Sequence, residues 1–206
     1  MYNRQKRRRT LMISMVSTYL VSLLLKERII EAGDQETYKY GFEITIANLV
    51  NGMIVLLIGF ALHQLPEALV FYLTFVSLRF FCGGYHADSY LRCFLSFAVT
   101  TAICLMVSGW IARYEKAVIV LFFVAATALW LCVFKMAPVE HENRPLTNQE
   151  RLLFKKRSMQ ASGFWTTIGI ILWVVCQIQM TASLISAFIA VTILMTGGKS
   201  HEKRNS

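Results

Sequence analysis

The sequence predicts an all-α integral membrane protein, with an N-terminal amphipathic interfacial helix, six transmembrane helices and both termini in the cytoplasm. Three observations carry that expectation. Hydrophobic residues make up 56% of the 206, and mean hydropathy is +0.51, above the roughly 45–50% apolar usage of soluble domains. The apolar residues are gathered into blocks rather than spread at amphipathic spacing, as lipid-embedded helices require. The charge is strongly basic, 21 Lys and Arg against 12 Asp and Glu, and the basic residues stand between the blocks, where they set topology. That distribution argues against a nucleic-acid partner.

The basic run Arg4–Arg9 leads into Leu11–Leu25. Ser14, Ser17, Thr18, Ser22 and Lys26 recur every three to four positions, leaving Met12, Met15, Val16, Tyr19, Leu20 and Leu23 for the other face, the pattern of a helix lying at an interface. An uncleaved signal anchor is the alternative; no small-x-small cleavage site follows, only Lys26-Glu27-Arg28. Residues 26–39 read as a charged connector. Six apolar blocks come next, about 42–63, 67–81, 91–112, 116–137, 162–179 and 182–196. Most approach the ~20 residues needed to cross a bilayer, and the second and last are short. Pro66 separates the first pair, and Gln177-Ile178-Gln179 marks the turn of the last.

With the N-terminus in the cytoplasm, only Arg113 and Lys116 of the 21 Lys and Arg fall outside, a bias that favours six spans over seven. The chain thus reads as a single membrane domain. Residues 1–40 form the basic N-terminus, helix and connector. Residues 41–197 form the core, with a polar break at 79–93 and a basic loop at 138–160 on the same cytoplasmic side, and 198–206 form a tail. Five cysteines, three of them inside apolar runs, do not suggest a disulfide framework. Cys104, Cys132 and Cys176 read as packing residues.

The break from Arg79 to Cys93 concentrates the polar chemistry. His86 and Cys93 are seven residues apart, roughly 10.5 Å on an unbroken helix, whereas a general base must come within about 3 Å of the thiol or act through one water. A catalytic pair therefore needs Gly83-Gly84-Tyr85-His86 to be a turn or re-entrant loop, which the glycine pair permits. Asp88 or Ser89 is a natural N-cap for the following helix. Cys93 then falls near its first turn, where the macrodipole favours a thiolate, and Arg79 and Arg92 would favour it further. The backbone around Gly83 and Gly84 offers candidate oxyanion donors. The plainer alternatives are an interfacial His, a small packing Cys and a simple bend. Cys82, His86 and Cys93 could also ligate zinc, but no C-x2-C pair or evident fourth ligand accompanies them.

Arg79, Gly83-Gly84-Tyr85-His86-Ala87 and Cys93 together resemble the signature of the accessory gene regulator protein B (AgrB) family: an Arg, a Gly-Gly-x-His-Ala turn, and a Cys seven residues after the His. The segment from Pro138 to Leu146, with the basic run Arg151–Arg157 after it, is similar to that family's cytoplasmic loop, in which Pro-Val-(Asp/Glu)-x-x-(Asn/Lys)-(Lys/Arg)-Pro recurs. The resemblance extends to length and hydropathy layout over nearly the whole chain. It implies a membrane cysteine endopeptidase of peptide quorum sensing, with His86 as general base and Cys93 as nucleophile. The implied substrate is an AgrD-like propeptide, cleaved on the C-terminal side of its signal segment and closed into a thiolactone or lactone through an acyl-thioester on Cys93. No cofactor or metal is expected, a homodimer is, and the location implied is the bacterial cell membrane. Arg79, Gly83, Gly84 and Asp88 would support the site. Glu140, Asn143, Arg144, Pro145, Lys155 and Lys156 are candidate substrate or loop contacts, and Asp88, Glu140, Asn143 and Gln149 are candidates to orient His86. The basic surfaces have two readings, binding to anionic lipid and attraction of an acidic propeptide tail. A small peptide transporter or exporter and a non-catalytic membrane scaffold are the competing classes.

Overall fold

The computed structural model describes residues 11–83, 90–139 and 147–205. Among these residues it is helical throughout: α1 (Leu11–Lys26), a 3-10 turn (Ala32–Asp34), α2 (Gln35–Ala61), α3 (Leu65–Cys82), α4 (Tyr90–Ile111), α5 (Glu115–Met136), α6 (Asn148–Val174) and α7 (Ile178–Asn205). Five of them, α2, α3, α4, α5 and α7, contain stretches long and apolar enough to cross a membrane, which makes this a multi-pass membrane protein. The charged connector is shorter than expected, because α2 already begins at Gln35 and carries Glu36, Lys39 and Glu43 in its first turns. Pro66 lies inside the first turn of α3, where the missing N–H costs no helical hydrogen bond.

The fifth block differs most from expectation. The basic run at 151–157 is not loop but the beginning of α6, a helix of 27 residues. Its start is set by a capping box: the Thr147 hydroxyl accepts from the Glu150 N–H at 3.3 Å, and the Thr147 N–H donates to the Glu150 carboxylate at 2.9 Å. The apolar half of the helix then ends at Val174, short of the expected Gln179. Length alone would carry α6 across a bilayer, but its polar first half keeps it out of the group of apolar spans.

The turns after α1, α2 and α6 share one construction. Arg28, His63 and Cys176 adopt positive φ near 55–60°. The next residue donates back across the turn, Ile29 to the Leu24 carbonyl, Gln64 to Gly59 and Gln177 to Leu172, at 2.8–2.9 Å. These six-to-one bonds satisfy carbonyls that the helix end would leave orphaned.

The chain divides into two compact units. One comprises α1, α2 as far as Ile54 and α4 as far as Ala98; the other holds the rest of α2 and α4 with the whole of α3, α5, α6 and α7. In the first, Ser17 and Val21 are the fully buried positions of α1, while Met15, Val16, Tyr19 and Leu23 are exposed. Apolar residues left uncovered by protein are what a lipid-facing helix surface needs.

In the second unit α7 is central, packing against α3, α5 and α6. Buried residues make up 61% of its apolar stretch, against 17% for α2. Small residues allow this close fit, and Ser183 adds a 2.7 Å hydrogen bond from its hydroxyl to the Glu67 carbonyl of α3. Helix α6 is tied on both sides: Trp165 Nε1 donates to Ser77 Oγ of α3 at 2.6 Å, and Trp130 Nε1 of α5 donates to Thr166 Oγ1 at 3.3 Å.

Candidate active site

The site is built outward from the end of α3. The helix runs to Cys82, and Gly83 caps it by donating its N–H to the Arg79 carbonyl at 3.0 Å. Gly83 then pairs in parallel with Val139, the segment just after α5, as an isolated bridge. The Val139 N–H donates to the Cys82 carbonyl at 2.9 Å. The two polar segments singled out by sequence, the break beginning at Arg79 and the loop beginning at Pro138, are thereby joined backbone to backbone near their starts, through Cys82, Gly83 and Val139.

Beneath this junction Cys82 is fully buried, and its thiol meets the hydroxyl of Ser158 on α6. Ser158, itself buried, donates to the Phe154 carbonyl at 2.8 Å, so its oxygen can accept from the thiol. Cys82 thus joins α3 to the basic half of α6. It is enclosed, unlike a reactive thiol.

Arg79 is half-buried in the last turn of α3. Cys93 is the fourth residue of α4, half-buried, with a reduced thiol. Arg92 beside it is exposed. Gln149 is exposed in the first turn of α6. The basic residues of α6 fall into two kinds. Lys155 is half-buried, its Nζ 5.4 Å from the centroid of the Phe134 ring, a cation–π contact. Arg151, Lys156 and Arg157 are exposed. Gly84, His86, Asp88, Glu140, Asn143, Arg144 and Pro145 lie outside the described residues, as do Tyr85 and His141.

Sequence reasoning included Val139 only as part of the loop motif, without its pairing to Gly83, and missed Ser158. A contact made by backbone groups leaves no side-chain signature at Val139. Ser158 did carry a signal: with Ser162 and Gly169 it forms a buried face of small residues on α6, the spacing that close helix packing uses.

Comparison with known proteins agrees with the motifs. The family model described as accessory gene regulator B matches residues 16–196. The chain is similar to AgrB-like protein 2 of Clostridium perfringens strain 13, at 28% identity over 155 residues, 73% of this chain and 71% of that protein. It is also similar to an AgrB-like protein of Lactiplantibacillus plantarum, at 23% identity over 207 residues, 98% of this chain and 99% of that one. No solved structure matches the chain significantly. With a family match spanning both polar segments and nearly every helix, the chain belongs to the accessory gene regulator B family.

Proposed function

We propose that this protein is a membrane-embedded cysteine endopeptidase that cleaves an AgrD-like autoinducing-peptide precursor and promotes ring closure of the released segment. The observation that carries the reading is the Gly83–Val139 pairing. It brings the two segments that resemble the family's signature to one place, although α4 and α5 separate them in sequence.

In this mechanism His86 takes the Cys93 proton, and the thiolate attacks the scissile carbonyl. The leaving amine departs with the proton returned by His86, and the acyl group stays on Cys93 as a thioester. A thiol or hydroxyl within the propeptide then attacks the thioester, closing a thiolactone or lactone and restoring the Cys93 thiol. Thioester exchange with a thiol is nearly isoenergetic, so the acyl group remains activated provided water is excluded, and a site at the membrane boundary suits that need. Gly83 serves through loop geometry, since its N–H is committed to Arg79. The exposed Arg151, Lys156 and Arg157 would attract an acidic propeptide tail or the anionic inner leaflet. Six crossings with α1 at the interface, both termini cytoplasmic, and a homodimer complete the reading.

The test is intact-mass analysis of propeptide incubated with wild type, Cys93→Ala and His86→Ala. The reading expects a cleaved tail and a Cys93-dependent acyl adduct, both absent from the two variants, and a product one water lighter than the linear fragment. Processing by either variant at the wild-type rate would sink it.

A further inference from the structure

Gly83 holds φ 72° and ψ −156°, a region of backbone space that is essentially glycine's alone. A Cβ at this position would collide with the Val139 carbonyl oxygen and lie 3.1 Å from its carbonyl carbon and 3.2 Å from its nitrogen. Backbone atoms cannot swing aside as a side-chain tip can. An ordinary helix stop does not ask for so much: it needs a left-handed residue, which Asn also supplies and which Arg28, His63 and Cys176 supply elsewhere in this chain. The end of α3 is therefore over-determined by one neighbour, through dihedral, close approach and the Val139-to-Cys82 hydrogen bond together. Backbone held in a sparsely populated region by its surroundings gathers at functional sites.

What the pairing fixes bears on the chemistry. Gly83 stands three residues before His86, and Val139 immediately before Glu140. The Cys82–Ser158 contact and the Trp165–Ser77 hydrogen bond tie the same end of α3 to α6, so the anchor has a rigid base. We propose that Gly83 and Val139 are positioning residues whose backbone pairing acts as a clasp, holding the start of the catalytic break against the start of the cytoplasmic loop so that His86 can serve Cys93. The clasp rests on the peptidase reading above. It acts through main-chain groups, so it tolerates changes of the Val139 side chain but neither a Cβ at position 83 nor loss of the N–H at 139.

The test uses the full chain in lipid nanodiscs with two readouts: steady-state propeptide cleavage, and alkylation of Cys93 by iodoacetamide followed by peptide mass analysis. Gly83→Ala introduces the Cβ. Val139→Pro removes the N–H and leaves Gly83 untouched, whereas Val139→Ala keeps both backbone groups. Gly83→Ala and Val139→Pro are each expected to lose about 100-fold in kcat, with KM within about threefold of wild type, the signature of misplaced reacting groups rather than lost binding. Their Cys93 alkylation slows about tenfold as the thiol loses its base. Val139→Ala stays within about threefold of wild type in both readouts.

A merely structural role would lower the yield of folded protein and leave kcat per folded molecule and Cys93 alkylation at wild-type values, which overturns the proposal. So would equal kcat in Val139→Pro and Val139→Ala, a comparison that stands even where Gly83→Ala does not fold. His86→Ala separates the two possible failures. If it alkylates Cys93 at the wild-type rate, the dyad reading falls and the clasp with it. If it slows alkylation while Gly83→Ala and Val139→Pro do not, the dyad stands and the clasp alone is refuted.

Discussion

Gly169→Ala adds one methyl group to α6 where it packs closely against α5. The new Cβ would collide with Cε2 of the Phe122 ring and lie 2.7 Å from its Cζ. The ring cannot retreat easily. Phe122 is fully buried, and its centroid is 6.1 Å from that of Phe188 on α7. Ala is the better helix former by about 1 kcal/mol, but forcing an extra methylene into a packed core costs about 1–3 kcal/mol. A closed aromatic site belongs in the upper half of that range, so the net loss is about 1–2 kcal/mol. Gly41→Ala is the matched control, since nothing lies within 4 Å of its Cβ in the charged start of α2. There the propensity gain is uncompensated, and the variant is more stable by up to about 1 kcal/mol. Equilibrium unfolding in mixed micelles, followed by tryptophan fluorescence, measures both. A double-mutant cycle with Phe122→Leu, which shrinks the ring, should return a coupling of about 1 kcal/mol or more in favour of the double variant. If Gly169→Ala is as stable as Gly41→Ala, or the cycle is additive, Gly169 is not the notch that seats Phe122.

Three further outcomes can be checked. Cys176 is exposed at the α6–α7 turn, so six crossings from a cytoplasmic N-terminus require a membrane-impermeant maleimide to label it on intact cells; labelling only after permeabilisation would mean that α6 does not cross. Thr147→Ala removes the capping box and should destabilise the start of α6 by about 1 kcal/mol, seen as faster amide exchange in its first two turns, and unchanged exchange would show that the cap does not hold the helix start. Ser77→Ala should destabilise by about 2 kcal/mol, because it strands the Trp165 N–H in an apolar setting, whereas Trp165→Phe costs about 1 kcal/mol, since Ser77 keeps its 2.6 Å bond to the Leu73 carbonyl. Equal losses would contradict that assignment.

The apolar helices were legible because lipid imposes such runs locally, though among the described residues five rather than six stretches are apolar enough to cross a membrane. The apolar blocks predicted α2 to α5 to within a few residues at most ends, and the break between the first pair fell just before Pro66, whereas the last turn came a few residues early, ahead of Ile178. The start of α6 was not foreseen: a charged run in a membrane sequence reads as loop, and the Thr147-x-x-Glu150 cap that starts the helix was present but overlooked. The glycine pair at the break was visible as a bend. Its partner was not, because Gly83 and Val139 meet through main-chain atoms whose identity does not depend on the residue at 139. The resemblance singled out Cys93 and not Cys82 as the nucleophile, and burial separates the two thiols as well, enclosing Cys82 on Ser158 and leaving Cys93 half-buried at the start of α4.

Every residue of α7 from Thr181 to Phe188 is buried, yet α7 follows α3, α5 and α6 in the chain. During synthesis the surrounding helices therefore enter the bilayer before the element they pack around exists. Until α7 arrives, the inward faces of α3 and α5 can meet only lipid, each other or an assembly factor, and the Glu67 carbonyl lacks the hydroxyl of Ser183. Membrane insertion and assembly are thus separate events here: fragments ending before Ile178 can enter the bilayer, but they lack the helix on which the bundle closes. The unit becomes a folded object only when its most interior segment slides into place last.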